Sequence, residues 1–134
     1  MTTKYLLAHS KNFWLPVFWT FLILFLCFKS PSGESKFYFP NADKVAHFTF
    51  YFVFVLLWFR SILFYVGNKF FNKILLLVIS ICFGLAIELA QNYFTTSRKG
   101  DVWDVLANTI GSLMGLFFAS FLFKKPRFGI DFKK

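Results

Sequence analysis

Acidic residues are scarce in this chain. Six Asp and Glu stand against fifteen Lys and Arg in 134 residues, for a formal charge of +9. Cysteine is scarcer still. Cys27 and Cys82 lie far apart in apolar runs, with no Cys-x-x-Cys spacing and no histidine beside them. That excludes a thiol-based metal site and leaves two free thiols expected to be buried. Also missing are a nucleophile elbow, a phosphate loop and a metal signature, so none of the common catalytic frameworks is written locally and no cofactor is named. No repeat or low-complexity segment occurs. The first apolar run is not closed by a small-x-small pattern, and bulky Leu24, Phe25 and Leu26 precede Cys27. Neither kind of signal-peptide cleavage is read there, and the run is expected to stay as an anchor.

What the chain has in excess is apolar surface. Hydrophobic residues make up 57% and aromatics 24%, including 23 Phe. A soluble fold of one domain, which is what this length allows, could not hide that much from water; lipid is its natural solvent. The basic residues sit between the apolar runs and at the tail, where Lys124, Lys125, Arg127, Lys133 and Lys134 follow the last run directly. That placement suits anionic lipid headgroups and not a nucleic-acid groove, so membrane lipids are the expected partners and nucleic acid is not.

Four apolar runs, at about 13–28, 45–66, 74–94 and 102–123, approach the roughly twenty residues that a hydrocarbon core demands. Backbone groups in lipid must be satisfied within the segment, and runs of this length and pattern are therefore helices. Arg60 near the end of the second run can extend to the headgroups. Ten Lys and Arg flank one side and five the other. The expected architecture is all-α, a single domain over residues 1–134, built as a four-helix transmembrane bundle with both termini cytoplasmic. In that topology a cysteine placed at Ser35 or Ser97 reacts with an impermeant thiol reagent.

The polar residues fall on one face of the membrane. Asp43, Lys44 and His47 open the second run, Glu88 and Gln91 close the third, and Arg98, Asp101, Asp104 and Asn108 surround the start of the fourth. Asp43, His47 and Tyr51 are spaced by four and share a helix face, as do Glu88 and Gln91, spaced by three. Asp101, Asp104, Asn108, Gly111, Gly115 and Ala119 draw one stripe, polar outside and small inside. Gly111-x-x-x-Gly115 allows close helix approach, within the chain or in a homo-oligomer. Glu88 lies fifteen residues past Lys73, roughly 22 Å along a helix at about 1.5 Å per residue, which places it below the headgroups. A carboxylate near that depth costs on the order of 2.5–3.5 kcal/mol at most, and needs a partner such as His47 or Arg98.

Simpler roles exist for several of these. Asp101, with Asp104 in the first turn, serves equally as a helix N-cap, and Asp43 favours the start of its helix. His47 can be a packed, hydrogen-bonded histidine, and the whole cluster can be a network that only holds helices together. Trp14, Trp19, Trp58 and Trp103 read as lipid-facing or interfacial, and Phe37-Tyr38-Phe39 as a segment that dips into the headgroups.

Read in order, Asp43-Lys44-Val45-Ala46-His47-Phe48-Thr49-Phe50-Tyr51, Glu88-Leu89-Ala90-Gln91, Arg98, and Asp101-Val102-Trp103-Asp104-Val105-Leu106-Ala107-Asn108-Thr109-Ile110-Gly111 resemble the VanZ-like family. The resemblance covers about Asp43 to Gly115 and rests on order and spacing, since no single motif is specific. It implies a multi-pass protein of the bacterial plasma membrane, in a family named for a member that lowers susceptibility to teicoplanin, a glycopeptide that binds cell-wall precursors.

The first functional expectation is binding at the outer leaflet. Arg98 and Lys44 hold an anionic group of a lipid-linked wall precursor or phospholipid, and His47, Glu88, Gln91, Asp101, Asp104 and Asn108 complete the pocket. The second is an enzyme acting on a lipid-linked substrate. There His47, oriented by Asp43, is the acid or base, and Glu88 and its neighbours stand as carboxylates able to hold a divalent cation, although no metal site is nominated from spacing. Transport lacks a midplane site in a chain of four helices.

Overall fold

The computed structural model describes residues 13–29, 41–66, 70–95 and 100–123. Four helices account for nearly all of them, and no strand occurs among the described residues. They are α1 (Trp14–Phe28), α2 (Ala42–Val66), α3 (Phe70–Phe94) and α4 (Val102–Leu122). The last three are long and apolar enough to cross a membrane; α1, at 15 residues, is shorter. α1 tolerates Pro16 because it falls in the first turn, where a backbone N–H has no partner in the helix anyway.

The fold is that of the expected all-α transmembrane bundle, and its polarity is inverted relative to a soluble protein. Phe21, Phe25, Val78, Ile79, Phe117 and Phe121 face outward, whereas His47, Ser80, Glu88, Gln91, Asn108 and Ser112 are buried. Buried positions repeat at three and four residues. Leu76, Ser80, Gly84, Ile87, Glu88 and Gln91 make the inner face of α3, and Asp104, Asn108, Gly111, Ser112, Gly115 and Ala119 that of α4. Cys82 falls between the inner positions of α3 and is exposed, against the expectation that both thiols are buried; Cys27 is buried, and neither forms a disulfide.

The closest pairing is α2 with α4, although α3 separates them in the chain. Glycine makes it possible. A Cβ at Gly111 would stand 2.3 Å from the Phe48 carbonyl oxygen, and one at Gly115 2.6 Å from that of Phe52. The Gly111/Gly115 stripe thus seats a backbone ridge of α2 in the same chain. Ser80 and Ser112, 2.8 Å apart, join α3 to α4 at a fully buried point. Deeper apolar packing is aromatic, with Phe54 and Phe83 stacked at 5.4 Å against Val55, Ile87 and Leu76.

α1 is fastened by polar groups. Trp19 donates its indole N–H to the Phe50 carbonyl at 2.9 Å, and Trp58 donates to Thr20 Oγ1 at 3.2 Å. Of the four tryptophans read as lipid-facing or interfacial, Trp14 and Trp103 are exposed, whereas Trp19 and Trp58 are partly buried against the core. An indole N–H in hydrocarbon needs an acceptor, and the α1–α2 seam supplies one.

Candidate functional site

Three helix ends converge on the expected cluster. α2 contributes its first turns, α3 its last, and α4 its first. Asn41, at φ 62, occupies the left-handed region that Asn tolerates better than most residues and lets α2 begin at Ala42, earlier than the apolar run suggests. Asp43 and Lys44 thereby lie inside the helix. Asp101 caps α4 by accepting the Trp103 N–H at 3.0 Å. Gly100 donates to Asn92 Oδ1 at 2.8 Å and the Asp101 N–H donates to Glu88 Oε2 at 3.2 Å, so the end of α3 sets where α4 starts.

Lys44 bridges the charged rim. Its ammonium lies 3.1 Å from Asp43, 3.2 Å from Asp101 and 3.6 Å from Asp104. The Trp103 N–H and this ammonium hold the Asp101 carboxyl below its ordinary range. Beneath the rim sits His47. Its Nδ1 is 3.1 Å from Asn108 Oδ1 and 3.6 Å from Glu88 Oε1, and its Nε2 is 3.8 Å from Asp104 Oδ2. His47 thus faces Asn108, Glu88 and Asp104, while Asp43 pairs with Lys44. The expected Asp43–His47 pair is replaced by partners that local spacing cannot reveal. His47 also stands beside Glu88, at a separation that is an ion pair only when the imidazole is protonated.

Gln91 donates to the Cys27 carbonyl at 2.8 Å and ties α3 to the end of α1. Arg98, the segment 37–39, the turn at Gly67 and Asn68, and the basic tail lie outside the described residues.

Among the described residues, four buried polar atoms in this region have no hydrogen-bond partner: Tyr51 Oη, Glu88 Oε1, Asp104 Oδ1 and Asn108 Nδ2. Tyr51, fully buried, was paired with His47 by spacing in the sequence but left out of the site; its ring also comes within reach of a Cβ at Gly84, as does the amide of Asn108. Absent a metal signature in the sequence, the structure nevertheless brings one ligand atom each of His47, Glu88 and Asp104 within 4.8 Å of one another. No single helix carries two of the three, which is why no spacing announces them.

The class defined by this fold and cluster is a helical integral membrane protein with a buried polar site at one end of its bundle. The chain belongs to the VanZ/LLP1 family, whose profile matches residues 3–124. The match bears out the resemblance read from Asp43 to Gly115 and extends it across α1. No curated protein and no solved structure matches the chain significantly.

Proposed function

We propose that this protein receives the polar headgroup of a membrane lipid, a phospholipid or a lipid-linked wall precursor, at the membrane face where the cluster lies. The reading places it in the bacterial plasma membrane with both termini in the cytoplasm and the cluster at the outer leaflet. There it would bear on cell-envelope physiology, including glycopeptide susceptibility.

One observation carries the reading: among the described residues Glu88 Oε1 and Asn108 Nδ2, on side chains that flank His47, are buried without a hydrogen-bond partner, as is Tyr51 Oη one turn further along α2. An unsatisfied polar group in hydrocarbon costs several kcal/mol. A network that served only to join helices would pair these groups with one another, as Ser80 and Ser112 do. The charge balance adjusts the first expectation. Lys44 is already held by three carboxylates, so among the described residues it is not a free cation for phosphate. The acidic groups and the Asn108 amide are suited to hydroxyls, amines or a cation carried with the headgroup.

Native mass spectrometry of the purified protein tests this by comparing lipids retained by the unmutated chain, Glu88→Gln and Arg98→Ala. A defined lipid kept by the first and lost by both variants is the expected result. Identical, unselective profiles would overturn it and leave a purely structural network.

A further inference from the structure

The cluster contains more than a headgroup site requires. We propose that His47, Glu88 and Asp104 bind a first-row divalent cation such as zinc or manganese, and that this ion is what meets the headgroup's oxygens. The proposal deepens the headgroup reading and rests on it for the ion's role, though not for the ion's binding.

Geometry supports it first. The three candidate ligand atoms come from three different helices and lie within 4.8 Å of one another. Ligands about 2.1 Å from an ion are separated by about 3–4.2 Å, so the cage closes with adjustments of roughly half an ångström. An imidazole with two carboxylates is a donor set for zinc, manganese or iron, harder than a thiolate site and softer than an all-oxygen calcium site.

The imidazole is also oriented as a ligand. Asn108 Oδ1 accepts from Nδ1 at 3.1 Å, which fixes the proton there and leaves the Nε2 lone pair on the side of Asp104 Oδ2, 3.8 Å away. Metal-bound histidines are held in this way by a carbonyl or carboxylate on the second nitrogen.

The independent sign is the unpartnered carboxylate oxygen. The Glu88 side chain is 6% exposed, its Oε2 accepts the Asp101 N–H, and its Oε1, 3.6 Å from Nδ1 of the imidazole, has no hydrogen bond among the described residues. Asp104 Oδ1 likewise makes no hydrogen bond among the described residues and has only the longer 3.6 Å approach of the Lys44 ammonium. Charge points the same way: among the described residues the Lys44 ammonium meets Asp43, Asp101 and Asp104, and Glu88 beside His47 adds a fourth carboxylate. A dication would offset most of what is left uncompensated, and a bound dication would give a phosphate oxygen a reason to enter an otherwise acidic site.

The test uses the full chain in lipid nanodiscs, stripped with chelator and titrated with zinc or manganese by calorimetry and elemental analysis. About one ion per chain is expected. Glu88→Gln and Asp104→Asn should each weaken binding at least about tenfold, and Asn108→Leu, acting through His47, by roughly ten- to a hundredfold. His47→Cys should keep zinc through its thiolate while losing manganese. In the unmutated chain loaded with manganese, pulsed electron paramagnetic resonance should show nitrogen coupling from one imidazole, a readout independent of how any variant folds. No ion bound, no nitrogen coupling, or equal binding by all variants would each overturn the cation site. Should zinc and manganese fail to bind while lipid retention still depends on Glu88, the headgroup reading survives alone. Should the ion bind and depend on these residues while lipid profiles never change, the cation site stands and the headgroup reading falls.

Discussion

Replacing Gly111 by alanine tests the packing and the site together. The new Cβ would stand 2.3 Å from the Phe48 carbonyl oxygen, 3.0 Å from its carbon and 3.1 Å from its Cα, all backbone atoms that cannot rotate aside. A carbon–oxygen contact sits at about 3.3 Å or more, so α2 and α4 must part by about 1 Å. Overpacking of this kind costs about 1–3 kcal/mol, and alanine's better helix propensity returns about 1 kcal/mol. With three backbone obstacles the cost falls at the upper end, leaving about 2 kcal/mol net, or roughly a thirtyfold drop in the folded-to-unfolded ratio. The displacement is applied one residue from His47 and one turn from Asn108. Their 3.1 Å contact would stretch to about 4 Å, beyond hydrogen-bond range. Steric trapping in nanodiscs measures the stability, and lipid retention measured on the same samples reports the site. Gly115→Ala, whose Cβ would stand 2.6 Å from the Phe52 carbonyl oxygen two turns from Asn108, should cost stability and spare retention. A Gly111→Ala protein as stable as the unmutated one would refute the close α2–α4 approach.

Other outcomes follow from individual contacts. Ser80→Ala removes one side of the buried 2.8 Å hydroxyl pair and should cost about 0.6–1.5 kcal/mol in the same trapping assay. Gln91→Ala frees the Cys27 carbonyl, so hydrogen exchange should rise at the end of α1 while the α2–α4 seam stays protected. Asp101 has a depressed folded-state pKa, so its contribution is present above the ordinary carboxylate value and fades as pH falls through the lower folded one. Unfolding in detergent should therefore show the unmutated chain more stable than Asp101→Ala at neutral pH, with the gap closing below about pH 4.

Hydropathy made the helices legible, because lipid leaves helical closure as the way for such a run to satisfy its backbone. It misjudged where two of them begin. α3 starts at Phe70, not near Ile74, since Asn72 and Lys73 can remain helical at the headgroups although they lower the apolar signal. The members of the site were legible from helix spacing and from their shared face. Their pairing was not. Lys44 meets Asp101 across 57 positions and His47 meets Asn108 across 61, distances at which no periodicity speaks. Spacing suggested Asp43 for His47; the structure gives Asp43 to Lys44. The hydrogen bonds of Trp19 and Trp58 were illegible for a related reason, as their acceptors lie on another helix.

The dominance of the α2–α4 contact has a consequence for biogenesis. Helices enter the membrane in chain order, so α2 and α3 arrive while Asp104, Asn108 and the glycine stripe are still in the ribosome or the translocon. During that interval His47 has Glu88 but not the amide that orients it, and the Phe48 and Phe52 carbonyls have no glycine surface to meet. A nascent chain arrested before Asp104 would therefore hold its buried charge incompletely paired. Completion of the cluster around His47 therefore waits on α4, the helix that carries Asp104 and Asn108.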